Sequence, residues 1–346
     1  MKGLYIYGIV PTFYTAEQFR NLDMLNVVNI PYGKIAAIAA EDTIVDFRNL
    51  GKEPLARLLV AHQQKIEAIM KMGFNTIIPM RMGTFASDES QLKNFLEKGY
   101  DMTLEVFEII SGYVEVDLVV TWADFASLIG EIAVDPQVIA LKAGIQKSDN
   151  ITQADQMEIG YLVKKLIDKR KEEVADKIYA ALEPFCLNVR KHEVLNDEMV
   201  STLAFMVNQQ QQALLENALD ELDQELNGEL NFKLVGPLPC YSFYTLEVDM
   251  LRFDDLVAAK EELEPGDSVS ENSIRQAYLK KAKIYHPDQN ANDKDGSRFN
   301  HVKQAYHTLL NYVKSQNPES SNELVEISRT KLAEDSFIIK IKNDHV

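Results

Sequence analysis

At 346 residues and 46% apolar content, the chain is long enough for two or three domains with substantial cores. A formal charge of −17 excludes a general nucleic-acid binder, which needs a basic footprint. No apolar run approaches the ~20 residues that cross a bilayer, and the apolar stretch of MKGLYIYGIVP is too short for a signal peptide, so a soluble cytoplasmic protein without lipid insertion is expected.

The charge is uneven. Ser268–Ser315 holds eight Lys/Arg against four Asp/Glu, which makes it a basic module on an acidic body. The two cysteines, Cys186 and Cys240, lie far apart and match no metal-ligand spacing, so a reduced pair is expected.

Leu4–Val10 is a continuous run of β-formers, the pattern of a strand covered on both faces. Asn26–Ile30 and Lys34–Ala40 flank Pro31-Tyr32-Gly33 and predict a hairpin. Pro54–Met72 predicts a helix with Leu55, Leu58, Leu59, His62, Ile66 and Ile69 on one face, stopped by Gly73. Thr76–Met80 reads as a strand, Ser90–Leu96 and Asp101–Ile110 as helices, and Val114–Trp122 as a strand. No GxGxxG turn accompanies this alternation, which fits an α+β sheet domain better than a dinucleotide fold.

Ala123–Leu141 predicts short helices broken at Asp135-Pro136. Gln153–Leu182 is the longest expected helix, with an apolar stripe of Ile159, Leu162, Leu166, Val174, Ile178 and Leu182 that is interrupted near Arg170. A second α+β unit follows: strand Met199–Val207, helix Gln209–Leu226, strand Phe232–Val235, then Gly236-Pro237-Leu238-Pro239-Cys240-Tyr241-Ser242-Phe243 leading into strand Tyr244–Val248. The two prolines stiffen that passage and remove ladder donors, as an edge permits.

Lys233–Phe243 resembles the Gly-Pro-x-Pro-x-Tyr-Ser-Phe signature of the GvpF/GvpL family of gas vesicle accessory proteins. The "LYIYGIV" run at Leu4–Val10 is similar to that family's first strand, and "IIPMRMGTFASDESQL" at Ile77–Leu92 resembles its Pro-Met-Arg-x-Gly-Thr segment. Cys240 and Leu238 stand where the family more often has proline and tryptophan. The resemblance implies a two-domain body, with a ferredoxin-like amino-terminal domain and a helix-rich α+β second domain. It also implies a cytoplasmic, non-enzymatic factor that binds the hydrophobic shell protein or other accessory proteins. For Arg81 and Gly83 the two readings are a binding surface and a structural role; the structural one is expected, with Arg81 pairing a carboxylate and Gly83 permitting a tight turn.

Tyr285–Asp288 is chemically the most specific stretch. Ile274, Tyr278, Ala282 and Tyr285 form one helical stripe, expected to face Phe299, Val302, Tyr306 and Leu309 of a second helix. Pro287 forces a turn between the two, placing His286 and Asp288 at the tip of the hairpin. Arg275, Lys280 and Lys283 point away from the stripe as a basic face. The histidines His286, His301 and His307 lack the i, i+4 pairing of a metal site, and no nucleophile accompanies His286.

"AYLKKAKIYHPDQN" at Ala277–Asn290 and "FNHVKQAYHTL" at Phe299–Leu309 resemble helices II and III of a J domain, with Phe253–Leu263 as helix I. That resemblance implies docking on a DnaK-type ATPase chaperone through His286, Pro287 and Asp288, and the basic face of Arg275, Lys280 and Lys283 beside them is expected to steer and anchor an acidic partner surface. Leu279, Lys281 and Ile284 depart from the J pattern, and Lys281 is expected to lay its stem over the core edge. After Asn317, "SQNPESSNE" reads as a flexible linker, and Phe337–Ile341 as a final strand whose partner is not visible from sequence, an edge of the second domain's sheet being one landing place.

The expected organisation is therefore 1–122, 123–251, a helical J-like module at 252–316, and a linker with terminal strand at 317–346. The expected function is gas vesicle assembly with chaperone recruitment, with no cofactor and no nucleic acid. The alternative is a general J-domain co-chaperone whose body binds clients.

Overall fold

The computed structural model describes residues 2–45, 47, 50–145, 152–251, 253–266, 268–285, 297–316, 320–327 and 337–342. The first sheet grows from β1 (Lys2–Pro11), followed by the short helix α1 (Ala16–Asn21), the hairpin β2 (Val28–Tyr32) and β3 (Ile35–Thr43), helix α2 (Lys52–Lys71) and strand β4 (Ile78–Pro79). Its order is β2-β3-β1-β4 with antiparallel neighbours, the order of a ferredoxin-like β-α-β-β-α-β unit. The small strand β5 (Phe85–Ala86) also pairs with β1, and helices α3 (Glu89–Lys98) and α4 (Tyr100–Ile110) follow.

Both faces of this sheet are covered, which is why β1 is apolar throughout. Val10, Ala36 and Ile38 pack under Leu22 and the α2 residues Ile66 and Ile69. Ile6, Ile9, Ala37 and Ala39 face the other way, against Leu92 and Phe95 of α3 and Phe107 of α4. In α2, burial begins at His62; Leu58 and Leu59, expected on the packed stripe, are 39% and 51% exposed.

The second sheet is built from β6 (Tyr113–Trp122), helices α5 (Phe125–Ala133), α6 (Pro136–Ile145) and α7 (Gln153–Leu182), strands β7 (Asn188–His192) and β8 (Met199–Asn208), helix α8 (Gln212–Glu225) and strand β9 (Leu230–Leu238). Its order, β7-β8-β6-β9, repeats the ferredoxin-like order. β6, which the sequence reading grouped with the first unit, thus lies inside the second sheet. β9 is an edge strand and runs to Leu238 rather than ending at Val235, with a register shift opposite Glu115 and Asp117. An edge tolerates Pro237 because no further strand needs its missing N–H.

The packed stripe of α7 is Ile167, Lys171, Val174, Ile178 and Leu182. The interruption in the apolar pattern is Lys171 itself, 8% exposed, whose ammonium donates to the Asn196 carbonyl at 3.2 Å and lies 3.8 Å from Asp197. Burial holds this lysine below its ordinary pKa, against the pull of Asp197.

Strand β10 (Thr245–Met250) leaves the second unit and lies beside the first. Met80 bridges Leu246 in parallel, and the Arg81 N–H donates to the Leu246 carbonyl at 2.8 Å. The chain then forms helix α9 (Phe253–Leu263), strand β11 (Ser268–Val269), helices α10 (Glu271–Tyr285) and α11 (Ser297–Ser315), and strand β12 (Val325–Glu326). Leu256, Leu263, Ile274, Val302, Leu309 and Tyr312 make a separate core. Ser270 caps α10 reciprocally with Ser273.

Part of the expected linker is tied down. Val269 pairs with Val325, Asn272 hydrogen-bonds to Ser321 and Asn322, and the Tyr312 hydroxyl donates to the Glu326 carbonyl at 2.8 Å. The last strand, β13 (Phe337–Lys342), pairs antiparallel with β10 over Thr245↔Lys342 to Met250↔Phe337. The two strands form a two-stranded sheet of their own, held beside the first unit by the Met80–Leu246 bridge and by Leu246, Val248 and Phe337 in its core. The helical module is inserted between two adjacent strands.

Candidate functional site

The three motifs that stood out in the sequence meet around the junction of the two sheets. Tyr5 of β1 hydrogen-bonds through its hydroxyl to His62 Nδ1 at 2.8 Å and accepts the Gly83 N–H at 3.3 Å. His62 Nε2 lies 3.1 Å from the Met80 carbonyl, and Thr84 Oγ1 donates to the Arg81 carbonyl at 2.6 Å. Burial lowers the His62 pKa to about 4, so the ring is neutral and structural. Gly83 has φ +85°, and a Cβ there would lie 2.7 Å from the Phe47 ring, so glycine is required at this turn.

Arg81 pairs as expected, and with two partners. Its guanidinium reaches Glu247 at 3.2 Å and Asp249 at 2.7 Å, both on β10. Lys340 of β13 approaches the same two carboxylates at 3.3 and 2.8 Å. Burial alone would raise Asp249, but the bonds from Lys340 and Arg81 outweigh it and hold the carboxyl below its usual range.

The Gly-Pro-Leu-Pro-Cys-Tyr-Ser-Phe passage is fastened by a carboxylate that the sequence reading missed. Glu115, 1% exposed on β6, accepts the Ser242 N–H and the Ser242 Oγ–H, each at 2.7 Å. Phe243 and Cys240 drop into the core beside Ala204 and Met206 of β8 and Leu246 of β10. Burial, and then the neighbouring Asp117, raise the Glu115 pKa to about 8. His192 Nε2 sits 3.1 Å from Ser242 Oγ. Since that hydroxyl gives its proton to Glu115, the imidazole is a donor here and not a base, and the cluster is an anchor rather than a nucleophile–base pair. The legible signal was Glu115-x-Asp117, two acids alternating with valines in an otherwise apolar strand.

Both thiols are free and inert: Cys240 is buried, and burial pushes Cys186 up to about 12. Among the described residues no group of His, Cys, Asp and Glu has metal-binding geometry, and no helix is long and apolar enough to cross a membrane.

In the helical module, Tyr278 of α10 packs on Tyr306 of α11 with ring centroids 4.5 Å apart, and Ile274, Val302 and Leu309 are fully buried. The expected facing stripes are thus in contact. Lys281 lies over the core edge and bonds Glu264 at 3.0 Å with its side chain 19% exposed. Arg275, Lys280 and Lys283 all lie on the exposed side of α10. Leu279 and Ile284 share that side, 58% and 54% exposed. His286, Pro287 and Asp288 lie outside the described residues.

An α+β body of two sheets with one strand order, carrying a DnaJ-type helical module between its last two strands, is the class this architecture defines. Residues 3–245 match the model for gas vesicle synthesis protein GvpL/GvpF, and residues 262–317 match the DnaJ domain. The chain belongs to the GvpL/GvpF family and carries a DnaJ domain near its carboxyl end. It is 20% identical over 249 residues to gas vesicle protein F of Microcystis aeruginosa, and 21% over 248 residues to that of Nostoc sp.; each match covers 70% of this chain and 98% of the relative. The crystal structure of GvpF from Anabaena sp. superposes with a TM-score of 0.59 at 20% identity, covering 70% of this chain and 98% of that one. GvpF from Microcystis aeruginosa gives 0.54 at 18% identity, covering 69% and 98%.

Proposed function

We propose that the chain is a non-enzymatic, cytoplasmic gas vesicle assembly factor. Its body holds the hydrophobic shell protein or other accessory subunits, and its helical module recruits a DnaK-type chaperone to them. The observation that carries this reading is the union, in one chain, of a GvpL/GvpF body with a DnaJ domain. An unassembled apolar shell subunit exposes aggregation-prone strand edges, so a factor that delivers it to an ATP-driven chaperone keeps it competent for assembly.

His286, Pro287 and Asp288, together with Arg275, Lys280 and Lys283, form the proposed chaperone contact. The three basic side chains make no ion pair with a carboxylate among the described residues, so none has to break one to meet an acidic partner surface. The test is twofold. Purified chain should retain shell protein in a pull-down and should accelerate single-turnover ATP hydrolysis by a DnaK-type chaperone. Failure to retain shell protein where a complete accessory set does so would remove the first half, and absence of stimulation at saturating chain the second.

A further inference from the structure

The outer side of β10 is closed by the chain's own last strand, and the way it is closed describes a ligand. β13 lies outside residues 3–245, the span that matches the GvpL/GvpF family, and it returns only after the whole helical module has been traversed. On its inner side Phe337, 2% exposed, stands edge-on to Phe95 with centroids 4.5 Å apart, under the Lys98 ammonium at 4.3 Å. Ile339 and Ile341 line the same core, and Gly99 leaves the room that Ile339 occupies, since a Cβ there would meet it at 3.2 Å. On the outer side Lys340 inserts between the Glu247 and Asp249 carboxylates, opposite Arg81. The backbone is read by a six-residue antiparallel register.

These contacts amount to a recognition pattern. Main-chain pairing supplies affinity for any extended segment, and alternate side-chain positions select among segments. Here the selected segment has a large aromatic at its first position, β-branched residues at its third and fifth, and lysine at its fourth. We propose that the β10 edge is a strand-addition site for an extended, lysine-bearing apolar segment of another protein, with β13 as its internal occupant. The occupant shields an edge that would otherwise pair indiscriminately, and it gives way to a foreign segment of the same pattern. Because β13 is also the second anchor of the helical module, an incoming segment frees one end of that module as it docks. This proposal stands apart from the chaperone contact and survives if that contact fails.

The test uses the full chain carrying a site-specific protease site between Ile327 and Phe337. After cleavage, a fluorescein-labelled peptide with the sequence of residues 337–342 is titrated in by anisotropy. The expected result is uptake of the peptide, release of the cleaved strand on gel filtration, and on the order of tenfold weaker binding of a Lys340→Glu peptide, which sets a third negative charge against Glu247 and Asp249. The uncleaved chain should bind at least about tenfold less, because its own strand competes at high effective concentration. Binding that is indifferent to Lys340→Glu, or a cleaved chain that takes up no peptide after its strand has been removed, would overturn the proposal.

Discussion

Glu115 should make the stability of the body fall as pH rises through neutrality. Its folded pKa stands at about 8 against an ordinary 4.5, raised by burial first and Asp117 second, while Ser242 donates two hydrogen bonds to it. Burial raises Asp117 as well, so the two acids act in the same direction. Between those two pH values the folded state binds more protons than the unfolded one. Stability from Glu115 is therefore complete below about pH 4.5 and is lost as pH rises through about 8, at a slope of about 1.4 kcal/mol per pH unit where one proton is at stake. His62 acts oppositely: its folded pKa of about 4 lies below the ordinary 6.5, so stability rises with pH across that interval and is complete above it. The two slopes offset each other at mildly acidic pH, which leaves pH 6.5–8 as the window in which the acids act without His62.

The perturbation is Glu115→Gln, which keeps the volume and an acceptor for Ser242. Urea unfolding followed by fluorescence of Trp122, the chain's single tryptophan and a residue of the same strand, reports on this sheet. Wild-type protein should lose stability from pH 6.5 to 8, and the variant should lose distinctly less. Parallel curves for the two proteins would refute the assignment of the raised pKa to Glu115.

Other expectations follow from single contacts. Phe337→Ala removes a buried aromatic from the first unit's core and should cost about 3–5 kcal/mol by urea unfolding, although the residue lies near the carboxyl end. Lys171→Met places an apolar side chain in the α7 stripe and should be neutral or stabilising by roughly 1 kcal/mol, whereas a loss above that would mean that the Asn196 bond outweighs desolvation. Tyr312→Phe deletes the bond to Glu326 and should cost about 1 kcal/mol, read as a lower melting temperature of the helical module. His286→Gln should abolish chaperone ATPase stimulation with the circular dichroism spectrum unchanged, and Lys280→Glu with Lys283→Glu should weaken stimulation most at low salt.

Local signals carried much of this architecture. Gln153–Leu182 appears as a helix with the bounds its apolar periodicity implied, Phe253–Leu263 with those the J-domain resemblance implied, and the Gly83 turn and Arg81 pairing were readable from residue type. What escaped was non-local. No pattern within Val114–Trp122 says which sheet it joins; that depends on pairing with β8 and β9, 78 or more residues later (Thr121↔Met199 being the nearest pair). β7 was invisible because an edge strand such as Asn188-Val189-Arg190-Lys191-His192 need not be apolar. Lys171 looked like a break in a stripe because its stem, not its charge, is what packs. The landing place of β13 required knowing that β10 pairs with neither larger sheet and offers its own edge beside the first unit.

The claim that one chain links gas vesicle subunits to a chaperone is tested most directly by a three-component capture. Immobilised shell protein is incubated with a DnaK-type chaperone and ATP, with and without the chain. The chaperone should be retained only when wild-type chain is present, and the His286→Gln chain should itself be retained without bringing the chaperone. Equal retention of the chaperone with wild-type chain, with the variant and with no chain would contradict that claim.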